Sequence, residues 1–385
     1  MSDSSMYLDH AAATPCDKLV LEAMQPFFSD HFFNPSSPYA PAVAVRRQYD
    51  EAKHKIAMTI GAKPNDCIVT AGATESINLA MTAAADGHIL TSAIEHHAVL
   101  AAVKRYAHTI IEPTPKGSVD LKKLEDSIKS GTKLITIALA NNELGTIQPL
   151  GKIVEIVKHE RDRRRQNGNA TPLWLHCDAS QGFGQIDCNL ARLEVDLLTL
   201  NSGKIYGPKQ VGLLWRRASV PLNALIVGGG QELGLRSGTE NVAGVVGFSV
   251  AIDRAERHRK AESKRLMELR SVIENGLQQA FPDMQITGDR KRRLPGALHV
   301  SFPGLDAERL VFRLESRQVF VATGSACAAN KGSASHVLQA LGLDDQYISG
   351  SLRITLGKLN DLSSVQKALS IIIEEVNSEY QRVSK

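Results

Sequence analysis

Short apolar runs rich in Val, Ile and Leu alternate with amphipathic stretches through the first half of the chain. The runs begin at Cys67, His88, Leu134, Leu173, Val195 and Val211, and each lasts four to six residues before a polar or small-residue exit. Runs so short predict buried strands rather than helices. Between them, residues 120–128 and 153–158 carry apolar positions at three- and four-residue intervals, the mark of crossover helices. The alternation predicts an α/β fold built on a large, doubly wound, mainly parallel sheet. From about Asn241 to Ala280 the pattern becomes one long helical stretch with a charged middle at residues 254–265, and strand-like runs return at residues 297–302 and 319–322. The domain boundary is expected inside that stretch, with a large domain over residues 15–255 and a smaller α+β domain over residues 1–14 and 256–385.

Composition narrows the classes of function. The 385 residues carry 45 basic against 41 acidic side chains, a net charge of +4, too balanced for the footprint of a direct nucleic-acid partner. Basic runs at residues 161–165 and 289–293 stand beside turn residues and are expected to be solvated surface. The first residues lack a basic and apolar leader, and no apolar run approaches the ~18 residues of a membrane span, so a cytoplasmic location without a membrane partner is expected. Five cysteines, at 16, 67, 177, 188 and 327, form no C-x-x-C pair and are odd in number, against a disulfide framework or a metal site.

Chemistry gathers at the exits of the apolar runs. Residues 70–76, Thr-Ala-Gly-Ala-Thr-Glu-Ser, join a strand to a helical pattern, where free backbone N–H groups can seat a phosphate beside Ala73 and Thr74; a plain helix cap is the competing reading. Asp178 ends one run and Lys204 follows the next, so both should face one crevice beyond the carboxyl ends of the strands. Pyridoxal 5'-phosphate requires such a pair: an amine for its aldehyde and an acid that keeps its ring nitrogen protonated. Glu95-His96-His97 and Asn141-Asn142-Glu143 are further polar exits, and His96 suits ring stacking and proton exchange. Cys327 lies in a small-residue stretch with Lys331 nearby, the setting of an accessible thiolate, whereas Cys67 and Cys177 fall in apolar strands and Cys16 and Cys188 in short connections.

Ten ordered motifs carry a resemblance that runs nearly end to end. They begin at Tyr7-Leu8-Asp9-His10, Asn34-Pro35-Ser36-Ser37, Gly72-Ala73-Thr74-Glu75-Ser76, Glu95-His96 and Asn141-Asn142-Glu143-Leu144-Gly145. They continue with His176 to Gln181, Lys204 to Lys209, Arg236-Ser237-Gly238-Thr239, Gly324-Ser325-Ala326-Cys327 and Ser351-Leu352-Arg353-Ile354. The chain resembles the cysteine desulfurases of the iron-sulfur-cluster assembly and nitrogen-fixation type. The resemblance implies the aminotransferase-like fold type I of pyridoxal-phosphate enzymes, a homodimer with sites at the subunit interface, and conversion of L-cysteine to L-alanine. Sulfur would be held as a persulfide on Cys327 and passed to an acceptor protein, an iron-sulfur scaffold or a transfer-RNA-thiolation enzyme.

It also implies roles. Lys204 would carry the cofactor aldehyde, Asp178 the ring nitrogen, Gln181 and Asn142 the ring-oxygen side, and His96 a ring face. Ala73, Thr74 and Ser202 would hold the phosphate, with Thr239 reaching in from the partner subunit. Arg353 would clamp the substrate carboxylate, assisted by Asn34 and Asn142, because a planar guanidinium matches a carboxylate at two points. Gly203 departs from the histidine usual in the family before the cofactor lysine, so altered cofactor affinity is expected, with Asn201 and Ser202 as substitutes. His10 stands where tyrosine is common. The chain ends at Lys385 without the longer tail by which several relatives hold their scaffold. The undeleted stretch after Cys327 points to the long-loop branch. Selenocysteine lyase, another fold type I enzyme, and a non-catalytic scaffold are the alternatives.

Overall fold

The computed structural model describes residues 6–323 and 335–384. Among them the strands in chain order are β1 (Met6–Tyr7), β2 (Cys67–Thr70), β3 (His88–Ser92), β4 (Ala107–Ile111), β5 (Thr132–Ala138), β6 (Trp174–Asp178) and β7 (Leu197–Asn201). They continue with β8 (Gly212–Arg216), β9 (Gln285–Ile286), β10 (Ala297–Ser301), β11 (Val319–Phe320), β12 (Ala322–Thr323) and β13 (Ser351–Thr355). Seven of them form the large sheet in the order β2-β8-β7-β6-β5-β3-β4. The five strands from β7 to β4 run parallel, and β8 is antiparallel to both β2 and β7. The fold is the expected mixed α/β architecture with a large, mainly parallel sheet.

Successive strand residues enter opposite cores, as a period of two requires. Leu90, Ile135 and Leu198 pack with Ile56, Ile153 and Phe248 on one face, whereas Ile89, Leu134 and Leu197 pack with Ile77, Leu79 and Val99 on the other. The helices Ala40–Ile60, Leu150–Gln166 and Val242–Ala280 thus cover one face, and Ala73–Met81 and His97–Val103 cover the other. Burial on both faces explains why the parallel strands read as continuous apolar runs.

A second sheet, β12-β13-β10-β9, is antiparallel and packs against the helices Ala307–Ser316 and Leu362–Val383 through Leu298, Val300, Leu310, Ile354 and Ile372. The 39-residue helix Val242–Ala280 belongs to both cores: Val245, Phe248 and Ile252 enter the first, and Leu266, Ile273 and Leu277 enter the second. At 1.5 Å per residue it is roughly 58 Å long. β1 pairs in parallel with β11, and Met6 and Leu8 also pack into the second core. The edge strand β4 was absent from the sequence expectation. Its first two residues, Ala107 and His108, are exposed, so it lacks an apolar run.

Candidate active site

The parallel strands deliver their polar exits to one edge of the sheet. A cavity of about 240 Å³ there is lined by Ala73, Thr74, His96, Asn142, Asp178, Gln181, Lys204 and Arg353, together with Ala11, Ala12, Glu143, Ser180 and His336. Eight of the residues expected at the site therefore converge. A larger cavity of about 420 Å³ lies between the large sheet and the second core and shares Ala11, Asn141, Asn142, Gln181 and Lys204 with the first.

The helix Ala73–Met81 opens at Gly72, whose φ of 130° lies in the left-handed region that suits glycine. That turn is packed tightly from behind, since a Cβ on Gly212 would sit 2.6 Å from the Gly72 carbonyl carbon. Ala73 and Thr74, the first residues of the helix, line the cavity, and the free N–H groups of a helix start suit an anion. Ser202 is fully buried, and its hydroxyl oxygen has no hydrogen-bond partner among the described residues. Gly203 donates its N–H to Asn201 Oδ1 at 3.1 Å, and a Cβ there would meet nothing closer than 3.5 Å, so the first carbon of a side chain has room.

Asp178 uses one oxygen, Oδ1, to accept from the Ser180 N–H at 3.0 Å and the Ser180 hydroxyl at 2.6 Å. Lys204 Nζ donates to the carbonyls of Ala11 and Ala12 at 2.7 and 2.8 Å, and Gln181 Nε2 donates to Ala11 at 3.0 Å. His96 caps the helix His97–Val103, with its Nδ1 accepting from the Ala98 N–H at 3.1 Å. Removal from bulk water pushes its pKa below the ordinary histidine value; the Asp178 charge opposes this shift, and Lys204 and His97 add to it. Arg353, on β13, is buried, with Nη2 donating to Asp9 Oδ1 at 2.8 Å and Nη1 lying 3.4 Å from the Asn142 carbonyl oxygen. Buried Glu143 accepts a 2.5 Å hydrogen bond from Ser335, and burial raises its pKa to about 7 against the pull of that bond and of Arg353.

The donor set on the cavity wall fits pyridoxal phosphate: an amine, an acid, an imidazole and the start of a helix; Ser202, expected there, is not part of that wall, and its buried hydroxyl lies against Gly207. Asn34 is not part of the cavity wall; it is exposed and accepts from the Ser36 N–H through Oδ1 at 2.9 Å. Thr239 is exposed on a loop outside the cavity. Cys327 lies outside the described residues. Among the other cysteines, Cys67, Cys177 and Cys188 are buried, and burial pushes all three thiols up, Cys67 to about 12, as inert core residues require. Sequence reading missed Ala11, Ala12 and Ser180, the first two because they act through backbone carbonyls that no side-chain pattern signals.

Comparison with known proteins agrees with this geometry. The model of the class-V aminotransferases matches residues 6–367. The chain is 38% identical to cysteine desulfurase IscS 1 of Archaeoglobus fulgidus, over 97% of this chain and 98% of that one. It is 35% identical to the putative cysteine desulfurase IscS 1 of Bacillus subtilis, over 96% and 98%. Among solved structures, a NifS-like protein superposes with a TM-score of 0.88 at 34% identity, covering 97% of this chain and 99% of its own. SspA in complex with cysteine superposes with a TM-score of 0.77 at 33% identity, covering 91% and 99%.

Proposed function

The chain belongs to the class-V aminotransferases and, within them, to the pyridoxal-phosphate-dependent cysteine desulfurases; from that premise we propose how its own residues move sulfur from L-cysteine to Cys327. The observation that carries the assignment is the convergence of Asp178, Lys204, His96 and Arg353 on one cavity beside an anion seat. Ala73, Thr74 and Ser202 hold the cofactor phosphate, Asp178 its ring nitrogen, Lys204 its aldehyde, and Gln181 and Asn142 its ring-oxygen side. Bound there, pyridoxal phosphate supplies a protonated ring that withdraws electrons from the substrate α-carbon.

Arg353 receives the substrate carboxylate, with Asn142 beside it. His96, engaged at Nδ1 by the helix it caps, exchanges protons with the substrate through Nε2. Its lowered pKa keeps the ring neutral at neutral pH, which suits proton transfer. The Cys327 thiolate attacks the substrate sulfur: an S–S bond forms, the C–S bond breaks with its electron pair left on carbon, and that carbon takes up a proton to leave as alanine. The persulfide then passes to an acceptor protein, an iron-sulfur scaffold or a transfer-RNA-thiolation enzyme, in the cytoplasm. No helix among the described residues is long and apolar enough to cross a membrane.

The assembly proposed is a homodimer in which Thr239 serves the partner's phosphate seat. Thr239 is exposed, and Leu225, Ile226, Val227 and Leu233, in the same stretch of chain, are large apolar residues left open to solvent. The test is sulfide and alanine release from cofactor-loaded protein given cysteine and a reductant. Equimolar products, lost in Cys327→Ala while the visible cofactor absorbance persists, are expected; full turnover by that variant overturns the persulfide route.

A further inference from the structure

One short segment, residues 7–14, touches three of the residues assigned to the site, Lys204, Gln181 and Arg353. Its Ala11 and Ala12 carbonyls take Lys204 Nζ, its Ala11 carbonyl also takes Gln181, and its Asp9 takes Arg353. The segment is itself held at several points. His10 bonds through Nδ1 to the Thr355 carbonyl at 3.1 Å, Thr14 donates to the Gly203 carbonyl at 3.1 Å, and the Tyr7 hydroxyl lies 2.8 Å from the Asp9 carbonyl oxygen. Asp9 also forms a parallel bridge with Thr355.

We propose that Asp9 is a positioning residue of the substrate site, acting through Arg353 to set how tightly the amino-acid carboxylate is held. The proposal rests on the reading of Arg353 as the carboxylate clamp. A guanidinium offers five N–H donors in a fixed plane. Asp9 takes one on Nη2, the Asn142 carbonyl oxygen lies near Nη1, and Nε is buried without a partner among the described residues. Asp9 fixes the plane from one side, so donors remain for an incoming carboxylate on another. The Asp9 side chain is 16% exposed and that of Arg353 5%, so the pair is little screened by water.

Asp9 contributes both an acceptor oxygen and a negative charge, and the two act oppositely on a substrate anion. The acceptor holds Arg353 in place and favours binding; the charge neutralises part of the guanidinium and weakens it. Asp9→Asn keeps an acceptor and removes the charge, and Asp9→Ala removes both.

The experiment compares cofactor-loaded wild type, Asp9→Asn, Asp9→Ala and Arg353→Ala. KM and kcat are measured with cysteine, and binding of cysteamine, which is cysteine without its carboxylate, is followed by the visible spectral change. For Asp9→Ala the expected result is a KM for cysteine raised about tenfold or more, as for removal of one member of a buried charge pair, with kcat within about threefold and cysteamine binding unchanged. Asp9→Asn should give a KM equal to or below that of wild type. Asp9→Ser, too short to reach Nη2, replaces Asp9→Ala if that variant does not fold. The proposal is overturned if Asp9→Ala leaves the KM unchanged, if it weakens cysteamine as much as cysteine, or if Asp9→Asn raises KM as far as Asp9→Ala does. An Arg353→Ala variant with unchanged KM overturns the clamp itself; a raised KM there beside an inert Asp9→Ala overturns the Asp9 role alone.

Discussion

Replacing Ser202 by Ala should act with opposite sign on the cofactor-free and cofactor-bound protein. In the former, the hydroxyl is buried with no partner among the described residues. Such a group carries a penalty of about 1–3 kcal/mol, part of which the substitution relieves. The pocket is built closely around it, since a Cβ on Gly207 would sit 2.0 Å from Ser202 Oγ, so removal of one oxygen leaves only a small void. Cofactor-free Ser202→Ala should therefore melt at the wild-type temperature or about 1–2 °C above it, as a fraction of a kcal/mol implies for a chain of this size. If Ser202 holds the phosphate as proposed, its hydroxyl turns to a phosphate oxygen in the bound protein, and a hydrogen bond to a charged group is worth about 1.5–3 kcal/mol. The dissociation constant for pyridoxal phosphate should rise about 10- to 150-fold. Titration by visible absorbance and melting of the cofactor-free protein measure the two effects. Unchanged cofactor affinity would remove Ser202 from the phosphate site, and a clear loss of stability without cofactor would mean that the hydroxyl has a partner after all.

Gly212→Ala drives a methyl group into the turn at Gly72, at 2.6–2.7 Å from its backbone carbons, so overpacking of about 1–3 kcal/mol is expected, with a lower melting temperature and cofactor affinity reduced about tenfold. If neither changes, the close approach of β8 to the anion seat is not rigid. His299 is fully buried beside Arg353 and Arg293, and burial pushes its pKa down to about 3. Folded His299 stays neutral while the unfolded residue protonates below about 6.5; its stability contribution is complete above that pH and declines as pH falls toward 3. Relative to wild type, His299→Leu should therefore gain roughly 1.4 kcal/mol per pH unit below about 6.5. Urea unfolding at pH 8 and pH 5 checks this, and an equal difference at both values refutes it.

The parallel strands and their polar exits were legible because a strand buried on both faces has little choice but Val, Ile and Leu, and because ligand-binding residues collect where such strands end. Asp178 and Lys204 could be paired across 26 positions of sequence on that ground alone. The edge strand β4 was not legible, since one side of it meets water and its composition is mixed. The contributions of Ala11 and Ala12 were hidden for another reason: a carbonyl oxygen is common to every residue, and only the path of the backbone decides which one faces an ammonium. His10, uninterpretable as a departure from tyrosine, proves to be a structural tie. Its Nδ1 bonds to Thr355, its ring meets Tyr7 edge-on at 4.9 Å, and burial pushes its pKa down to about 4.

The closure of the first residues onto the last strands bears on the order of events during synthesis. Leu8 donates to the Phe320 carbonyl and accepts from the Thr355 N–H, and Asp9 meets Arg353 across 344 positions. Contacts so distant in sequence form late, because the intervening chain must first be brought to hand. A nascent chain can complete the large sheet, with Asp178 and Lys204 in place, well before Arg353 leaves the ribosome. The carboxylate clamp proposed at Arg353 then has neither its guanidinium nor its fixed neighbour. On that proposal an unfinished chain is poorly able to capture free cysteine, and sulfur release is tied to a completed molecule.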